Sequence, residues 1–322
     1  MQMAVYNRRV PSWTVPPDSA GIRLDKFLAA PDRLGSRGRA ADALEKDKVF
    51  LNGAEVGRAQ AARRLRAGDE VRVWLDRPGT ARGRPVARAG DLEILFEDKS
   101  LIVVNKPAGL LAVPLARRSD APSAYDCLDN HLRPRGRRRP LVVHRIDRDT
   151  SGLVVFAKDV RAQQALKAQF RRRTPERVYR AVLYGHPQPP QGTWRDRLVW
   201  DAGALLQKRA HPDEARATTA ISHYRVLETL AGASLVEIRL ETGKRNQIRV
   251  QARLHGHMLV GERLYVRRGA ERPIDFPRQA LHAYRLSFEH PADGRPLTFE
   301  APMPDDLEAL LARLRAPSDT RI

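Results

Sequence analysis

Residues Leu141 to Asp159, LVVHRIDRDTSGLVVFAKD, constrain the fold more than any other stretch of this chain. Two short apolar runs, Leu141–Val143 and Leu153–Ala157, read as buried strand pieces bounded by turn chemistry. Between them a polar turn carries His144, Arg145, Asp147, Arg148, Asp149, Thr150 and Ser151 ahead of Gly152. Two carboxylates and two guanidinium groups within five residues are costly to assemble merely to join strands. Loops held by a rigid scaffold are where chemistry is commonly placed. A carboxylate beside arginines can stay ionised in a partly desolvated site, because nearby positive charge lowers its pKa. Such a group can act as a nucleophile or stabilise a cationic transition state. From the residues alone, a surface loop whose charges simply pair off is the competing reading.

A chain of 322 residues can bury a sizeable core and is expected to form one large domain plus a small one. Its 58 basic and 38 acidic residues give a formal charge of +20. That excess favours a polyanionic partner, nucleic acid before an anionic membrane. The lone cysteine, Cys127, excludes an internal disulfide and a four-cysteine zinc site. No apolar run approaches the ~20 residues needed to span a bilayer. The start, MQMAVYNRRVPSW, lacks a signal-peptide apolar core, so a cytoplasmic protein is expected.

Along the chain, residues 1–20 read as a loose arm. Leu24, Phe27 and Leu28 recur at helical spacing, Ala40–Lys46 suggests a second short helix, and Val49–Leu51 runs into the tight turn Asn52-Gly53. Val71, Val73 and Leu75 alternate as a strand. Residues 77–90, rich in Gly, Pro, Ala and Arg, read as a linker. The arginine-rich stretch Leu115–Pro140 is too charged and too broken by Pro and Gly to be a good helix, and reads as a basic loop. Ala162, Ala165, Leu166 and Phe170 mark an amphipathic helix. Val178–Tyr184 is a strand with Tyr179, Ala181 and Leu183 on one face. By pattern alone Tyr179 is a core-facing tyrosine. Residues His186–Asp213 show no clear period. Leu307, Leu310, Leu311 and Leu314 predict a final helix, and residues 316–322 a frayed tail.

HRIDRDTSG (144–152) resembles the signature of the RluA-type pseudouridine synthases, with Ile146 where leucine is usual. NKPAGL (105–110), RVYRAVLYG (177–185), TGKRNQIR (242–249) and the closing ALHAYRLSFEHP follow in the family's order, over roughly residues 91–305. The segments RLDKFLAA, LNG and RAGDEVRV similarly resemble the small RNA-binding module named after ribosomal protein S-four. The resemblance implies an α+β fold, a mixed and largely antiparallel sheet with flanking helices. It divides the chain into a module over 21–76 and a catalytic domain over 91–315.

The same resemblance assigns roles. Asp147 is the expected nucleophile, with Asp149 its neighbour. Arg249 is expected to grip Asp147 in a bidentate pair. Tyr179 is expected to stack on the target uracil, worth ~1–3 kcal/mol. Arg145, with His144 beside it, is expected to meet RNA as the base is flipped. Lys106 of the NKPAG turn, and Arg23, Lys26, Arg37 and Arg39 of the module, are candidate phosphate contacts, which position RNA without reading its sequence. Asn246 and Gln251 replace histidines usual in the family, and Glu262 stands where aspartate is common. The implied reaction is uridine-to-pseudouridine isomerisation in structured RNA, ribosomal or transfer. It needs no cofactor and no metal, and the enzyme is expected to be a monomer. Two rivals are a non-catalytic RNA-binding ribosome-assembly factor and a metal-assisted hydrolase using His144, Asp147 and Asp149.

Overall fold

A computed structural model describes residues 10–75, 92–114, 122–133, 139–202, 206–266 and 272–315. The chain divides into two compact units.

In the N-terminal unit, strands β1 (Ser12–Thr14), β2 (Val49–Leu51), β3 (Ala54–Val56) and β4 (Glu70–Val73) form an antiparallel sheet in the order β1-β4-β2-β3. Helices α1 (Leu24–Leu28) and α2 (Arg37–Glu45) bury Leu24, Phe27, Leu28 and Leu44 in the same core as Val49, Val71 and Val73. Ser36 caps α2 by accepting from the Arg39 N–H, which satisfies one of the helix's unpaired first-turn donors. Asn52 and Gly53 both have positive φ, 51° and 74°, the backbone that a two-residue hairpin turn requires. Two expectations are corrected here. Residues 10–20 are not a loose arm: β1 pairs with β4 and Val15 is buried. Leu75 lies outside β4 and is exposed.

The larger unit is built on a second sheet, with strand order β11-β10-β12-β13-β9-β14-β8-β6-β5. In chain order these are β5 (Glu93–Glu97), β6 (Leu101–Lys106), β7 (Leu141–Val142), β8 (Ser151–Ala157), β9 (Glu176–Tyr184), β10 (Gln191–Asp201), β11 (Leu206–Arg209), β12 (Thr218–Leu230), β13 (Ala233–Leu240), β14 (Leu281–Glu289) and β15 (Pro296–Glu300). β15 adds to β14 and β7 to β8. β8 is buried along its whole length, which is why its sequence is a continuous apolar run rather than an alternating one. It pairs antiparallel with β6 on one edge. On the other edge β7 pairs with its far end and β14 runs parallel to its first two residues. The chain between β7 and β8 therefore leaves the sheet at the point where β14 enters.

Helices α3 (Ala124–Leu132), α4 (Val160–Arg172), α5 (Gln247–Leu254) and α6 (Asp305–Arg315) cover this sheet. Asp159 caps α4, and the Gln169 amide bonds both the N–H and the carbonyl of Glu289, fixing the helix to β14. α6 buries Leu307, Leu310, Leu311 and Leu314 against Val182 and Val260, each worth roughly 2 kcal/mol in area removed from water. The expected basic loop over 115–140 is corrected in part. Residues 124–132 are helical, started by a capping box in which Ser123 and Asp126 satisfy each other's backbone N–H groups. Arg133 pairs with Asp129. Arg117, Arg118, Arg135, Arg137 and Arg138, the 77–90 linker and the 316–322 tail lie outside the described residues.

Candidate active site

The turn that carries Asp147 is held from within by two buried cations. Lys106, at the end of β6, is fully buried. Its ammonium donates to the carbonyls of Pro107, Leu110 and Arg148 at 2.8, 2.8 and 2.9 Å. The Gly109 N–H shares the Arg148 carbonyl at 2.9 Å. Burial pushes the Lys106 amine down to about 7, against the pull of Asp149. Lys106 is thus not a phosphate contact: it has no exposed surface and spends all three donors on backbone. Arg278, equally buried, donates to the carbonyls of Asp149, Gln279 and Leu281, each at 3.2 Å, and grips Asp306 of α6 at 2.7 and 2.8 Å.

His144 also faces inward. Its ring stacks on Phe170 with centroids 4.7 Å apart, and its Nε2 accepts from the Val155 N–H at 3.1 Å. Burial, with Arg177 adding repulsion, holds its pKa down to about 3. This inward packing replaces the expected contact with RNA. Among the described residues, no three His, Cys, Asp or Glu side chains converge as a cation site. His255 and His257 turn to separate partners, Asp196 and the Tyr184 carbonyl. Asp149 is buried beneath the turn, and Ile146 packs with Ala283 and Tyr179. Arg145 points outward and is exposed.

Asp147 lies at the surface of this scaffold, its side chain 27% exposed. Arg249, on the first turns of α5, reaches its Oδ2 from Nη1 at 3.1 Å. The expected bidentate grip on Asp147 is corrected: the two-pronged contact goes to Glu262, from Nε at 2.8 Å and Nη2 at 2.7 Å. Glu262, 1% exposed in its side chain, also accepts the N–H groups of Arg263, Leu264 and Tyr265. Burial works against ionisation of both partners and their mutual attraction overcomes it. Arg249 is held well above its ordinary value and Glu262 below the usual carboxylate range.

Tyr179 approaches from β9. Its backbone pairs with Ala283 of β14, which pairs in turn with Gly152 at the start of β8. Burial raises its phenol above the ordinary value, with Arg177 opposing and the Asp147 charge adding to the rise, so the hydroxyl keeps its proton at neutral pH. Asp147, Tyr179 and Arg249 therefore converge from a turn, a strand and a helix. A partly exposed carboxylate beside a fixed guanidinium and a protonated phenol can attack an electrophilic carbon or assist a proton transfer.

The family profile for RNA pseudouridylate synthase matches residues 100–254. A ribosomal large subunit pseudouridine synthase D from Zymomonas mobilis is 37% identical over 94% of this chain and 96% of its own length. The chain belongs to the RNA pseudouridine synthase family. An uncharacterized RNA pseudouridine synthase of Synechocystis is also 37% identical, over 92% of this chain and 90% of its own. The human protein RNA pseudouridylate synthase domain containing 4 superposes with a TM-score of 0.57, covering 69% of this chain and 93% of that one, at 24% identity. The synthase fold, α+β with an antiparallel-dominated sheet, is shared with it.

Within this pseudouridine synthase, sequence reasoning missed how the site is held. Arg278 sits in the stretch RPIDFPRQ, where nothing marks it as buried. Glu262 and Asn246 were visible only as departures from the family's usual residues. Gln251 is fully buried, its amide bonded to Ser222, Asp196 and the carbonyls of Trp194 and Ala220. In the N-terminal unit, Arg23 is paired with Asp25 at 2.6 Å, and Arg37 and Arg39 lie on the exposed first turn of α2.

Proposed function

We propose that this synthase converts uridines of large-subunit ribosomal RNA to pseudouridine, with Asp147 as the nucleophile. The observation that carries the reading is the contrast among the site's carboxylates. Glu262 is consumed by Arg249 and three backbone N–H groups, and Asp149 is buried, whereas Asp147 is oriented by Arg249 and reachable from solvent. The relatives from Zymomonas mobilis and Pseudomonas aeruginosa, 37% and 34% identical, are named for the large ribosomal subunit, which supports that substrate over transfer RNA.

The reaction breaks the bond between the sugar and N1 of uracil, turns the base, and rejoins it through carbon 5, which loses its proton while N1 gains one. Bonds made and broken balance without an external reductant or energy source. Asp147 forms a bond to the nucleotide as the glycosidic bond breaks and is released as carbon 5 joins the sugar; Arg249 keeps its carboxylate aimed. Tyr179 stacks on the uracil while it turns, and its hydroxyl assists loss of the carbon 5 proton by passing its own proton on as it takes that one. The target base must leave its helix, at a cost of a few kcal/mol, and exposed Arg145 takes its place in the RNA. Lys26, Arg37 and Arg39, with Arg23 beside its ion pair, supply phosphate contacts from the module. The enzyme works as a cytoplasmic monomer. No helix among the described residues is long and apolar enough to cross a membrane.

Tritium release from RNA labelled at carbon 5 of uridine tests the reading. Wild type and Asp149→Ala release tritium from large-subunit RNA, and Asp147→Ala does not. Tight RNA binding with no release from any cellular RNA would instead identify an assembly factor.

A further inference from the structure

We propose that Asn246 is a positioning residue for the reaction, its amide setting the orientation of the Asp147 carboxylate and itself aimed by the Tyr265 hydroxyl. The proposal rests on the reading of Asp147 as nucleophile.

The geometry begins with α5. Asn246 is the residue before the helix and has left-handed backbone, φ 52° and ψ 26°. Asparagine is among the few residues that adopt this conformation routinely. It stands three residues before Arg249, so both side chains leave the same face of the first turn. In the orientation where each end of its amide meets a complementary group, Nδ2 donates to both Asp147 oxygens at 2.9 Å. Its Oδ1 then accepts from the Tyr265 hydroxyl at 3.1 Å. That hydroxyl oxygen in turn accepts from the Gln207 N–H at 3.1 Å. The chain Gln207, Tyr265, Asn246, Asp147 therefore runs from donor to acceptor in one direction. Tyr265 is buried and its backbone N–H is bonded to Glu262. A single rigid turn, 262–265, thus backs both arms that reach Asp147, the guanidinium through Glu262 and the amide through Tyr265.

The chemistry explains why a neutral donor suits the position. Arg249 alone makes one bond to one oxygen, which leaves the carboxylate free to rotate about it. The amide bridges both oxygens and removes that freedom. It adds no charge, so the carboxylate is oriented without a second cation drawing down its nucleophilicity. An amide also does not titrate, so its hold is constant across the neutral range. The other titratable and charged groups that act on Asp147 are Arg249 from α5, Lys106 from β6 and Tyr179 from β9.

The test uses the full chain and RNA labelled at carbon 5 of uridine, with single-turnover rates measured from pH 3.5 to 9 for wild type, Asn246→Ala, Asn246→Asp, Tyr265→Phe and Asp147→Ala. RNA affinity and thermal unfolding are followed alongside. Asn246→Ala is expected to slow the chemical step ~10–100-fold, as mis-aimed reacting groups do, with RNA affinity within about twofold of wild type. Tyr265→Phe moves in the same direction by a smaller factor. Asn246→Asp sets a second carboxylate against the first and shifts the acid limb of the rate profile upward by ~1 pH unit or more. A merely structural residue would lower RNA affinity or unfolding temperature in Asn246→Ala without slowing the chemical step. A wild-type rate and pH profile in Asn246→Asp would overturn the proposal, as would losses in Asn246→Ala confined to RNA affinity and unfolding temperature. Tritium release by Asp147→Ala is a different failure, because it removes the nucleophile assignment itself.

Discussion

Arg249 is forked onto Glu262, not onto Asp147: two guanidinium nitrogens at 2.8 and 2.7 Å go to the buried glutamate, and one at 3.1 Å to the partly exposed aspartate. The division of labour is physical. A bidentate pair in a dry setting fixes the guanidinium, and the remaining nitrogen then presents a charge of known position to Asp147. The electrostatics around Asp147 are set one residue behind it, at Glu262.

Removing Glu262 should therefore cost more than losing a surface pair. Glu262→Ala leaves a buried guanidinium with only its single bond to Asp147, and three backbone N–H groups without their acceptor. The expected loss is about 3–5 kcal/mol of unfolding free energy in urea melts, with tritium release falling at least tenfold. A loss below 1 kcal/mol would mean that Arg249 re-pairs with Asp147 at no cost.

Arg278 and Asp306 make a second prediction. Arg278 is wholly buried and ties the Asp149 carbonyl to a carboxylate on α6. Asp306→Ala should destabilise the protein by up to about 3 kcal/mol, the lower end for a broken buried pair because Asp306 itself is partly exposed. Activity should fall together with stability, since the same guanidinium supports the turn behind Asp147. Calorimetry and tritium release on the one variant check both.

Legibility in the sequence followed burial chemistry. β8, β9, α4 and α6 were readable because their buried positions are apolar and recur at the period of a strand or helix. β10 was not, although its burial alternates: Trp194, Asp196 and Leu198 all point inward. The middle one is a carboxylate, satisfied by Gln251, His255 and Arg209 from elsewhere in the chain. A polar residue at a buried position hides the period. Lys106 misled for the same reason. Nothing local reveals that one of its three carbonyl partners lies 42 residues away. Asp147, Tyr179 and Arg249 were named from motifs, but the sharing of Arg249 with Glu262 is a tertiary fact. α3 carried its signal in Ser123 and Asp126, outweighed in the reading by the arginines on either side.

Gly152 gives a sharper steric prediction. Its φ is 108°, and a Cβ there would lie 2.3 Å from the Ala283 carbonyl oxygen and 2.7 Å from the Ala283 nitrogen. Both atoms are backbone of β14, so neither can step aside without breaking the parallel pairing that positions the Asp147 turn. Gly152→Ala is expected to lower stability by about 4 kcal/mol or more, at the severe end for single substitutions. An unchanged melting temperature would contradict the β8–β14 register.

The last prediction concerns acid. His282 is fully buried, its Nδ1 3.0 Å from the Ser151 hydroxyl and its Nε2 3.1 Å from the Ala301 carbonyl. Burial holds its pKa down to about 4, from an ordinary 6.5. His144 is held down to about 3. The unfolded chain therefore binds more protons than the folded one between pH 6.5 and these values, and stability must fall as the pH drops through that window. Above pH 6.5 both rings are neutral in either state and contribute no slope. Each histidine should cost about 2 kcal/mol between pH 7.5 and 5, at 1.36 kcal/mol per pH unit below its unfolded value. Urea unfolding of wild type, His282→Gln and His144→Gln at both pH values checks this. Each variant should begin less stable at pH 7.5, having lost a fitted ring, and then lose less on acidification than wild type. If all three lose stability in parallel, the acid sensitivity belongs to other groups and the two rings are not held neutral by the fold.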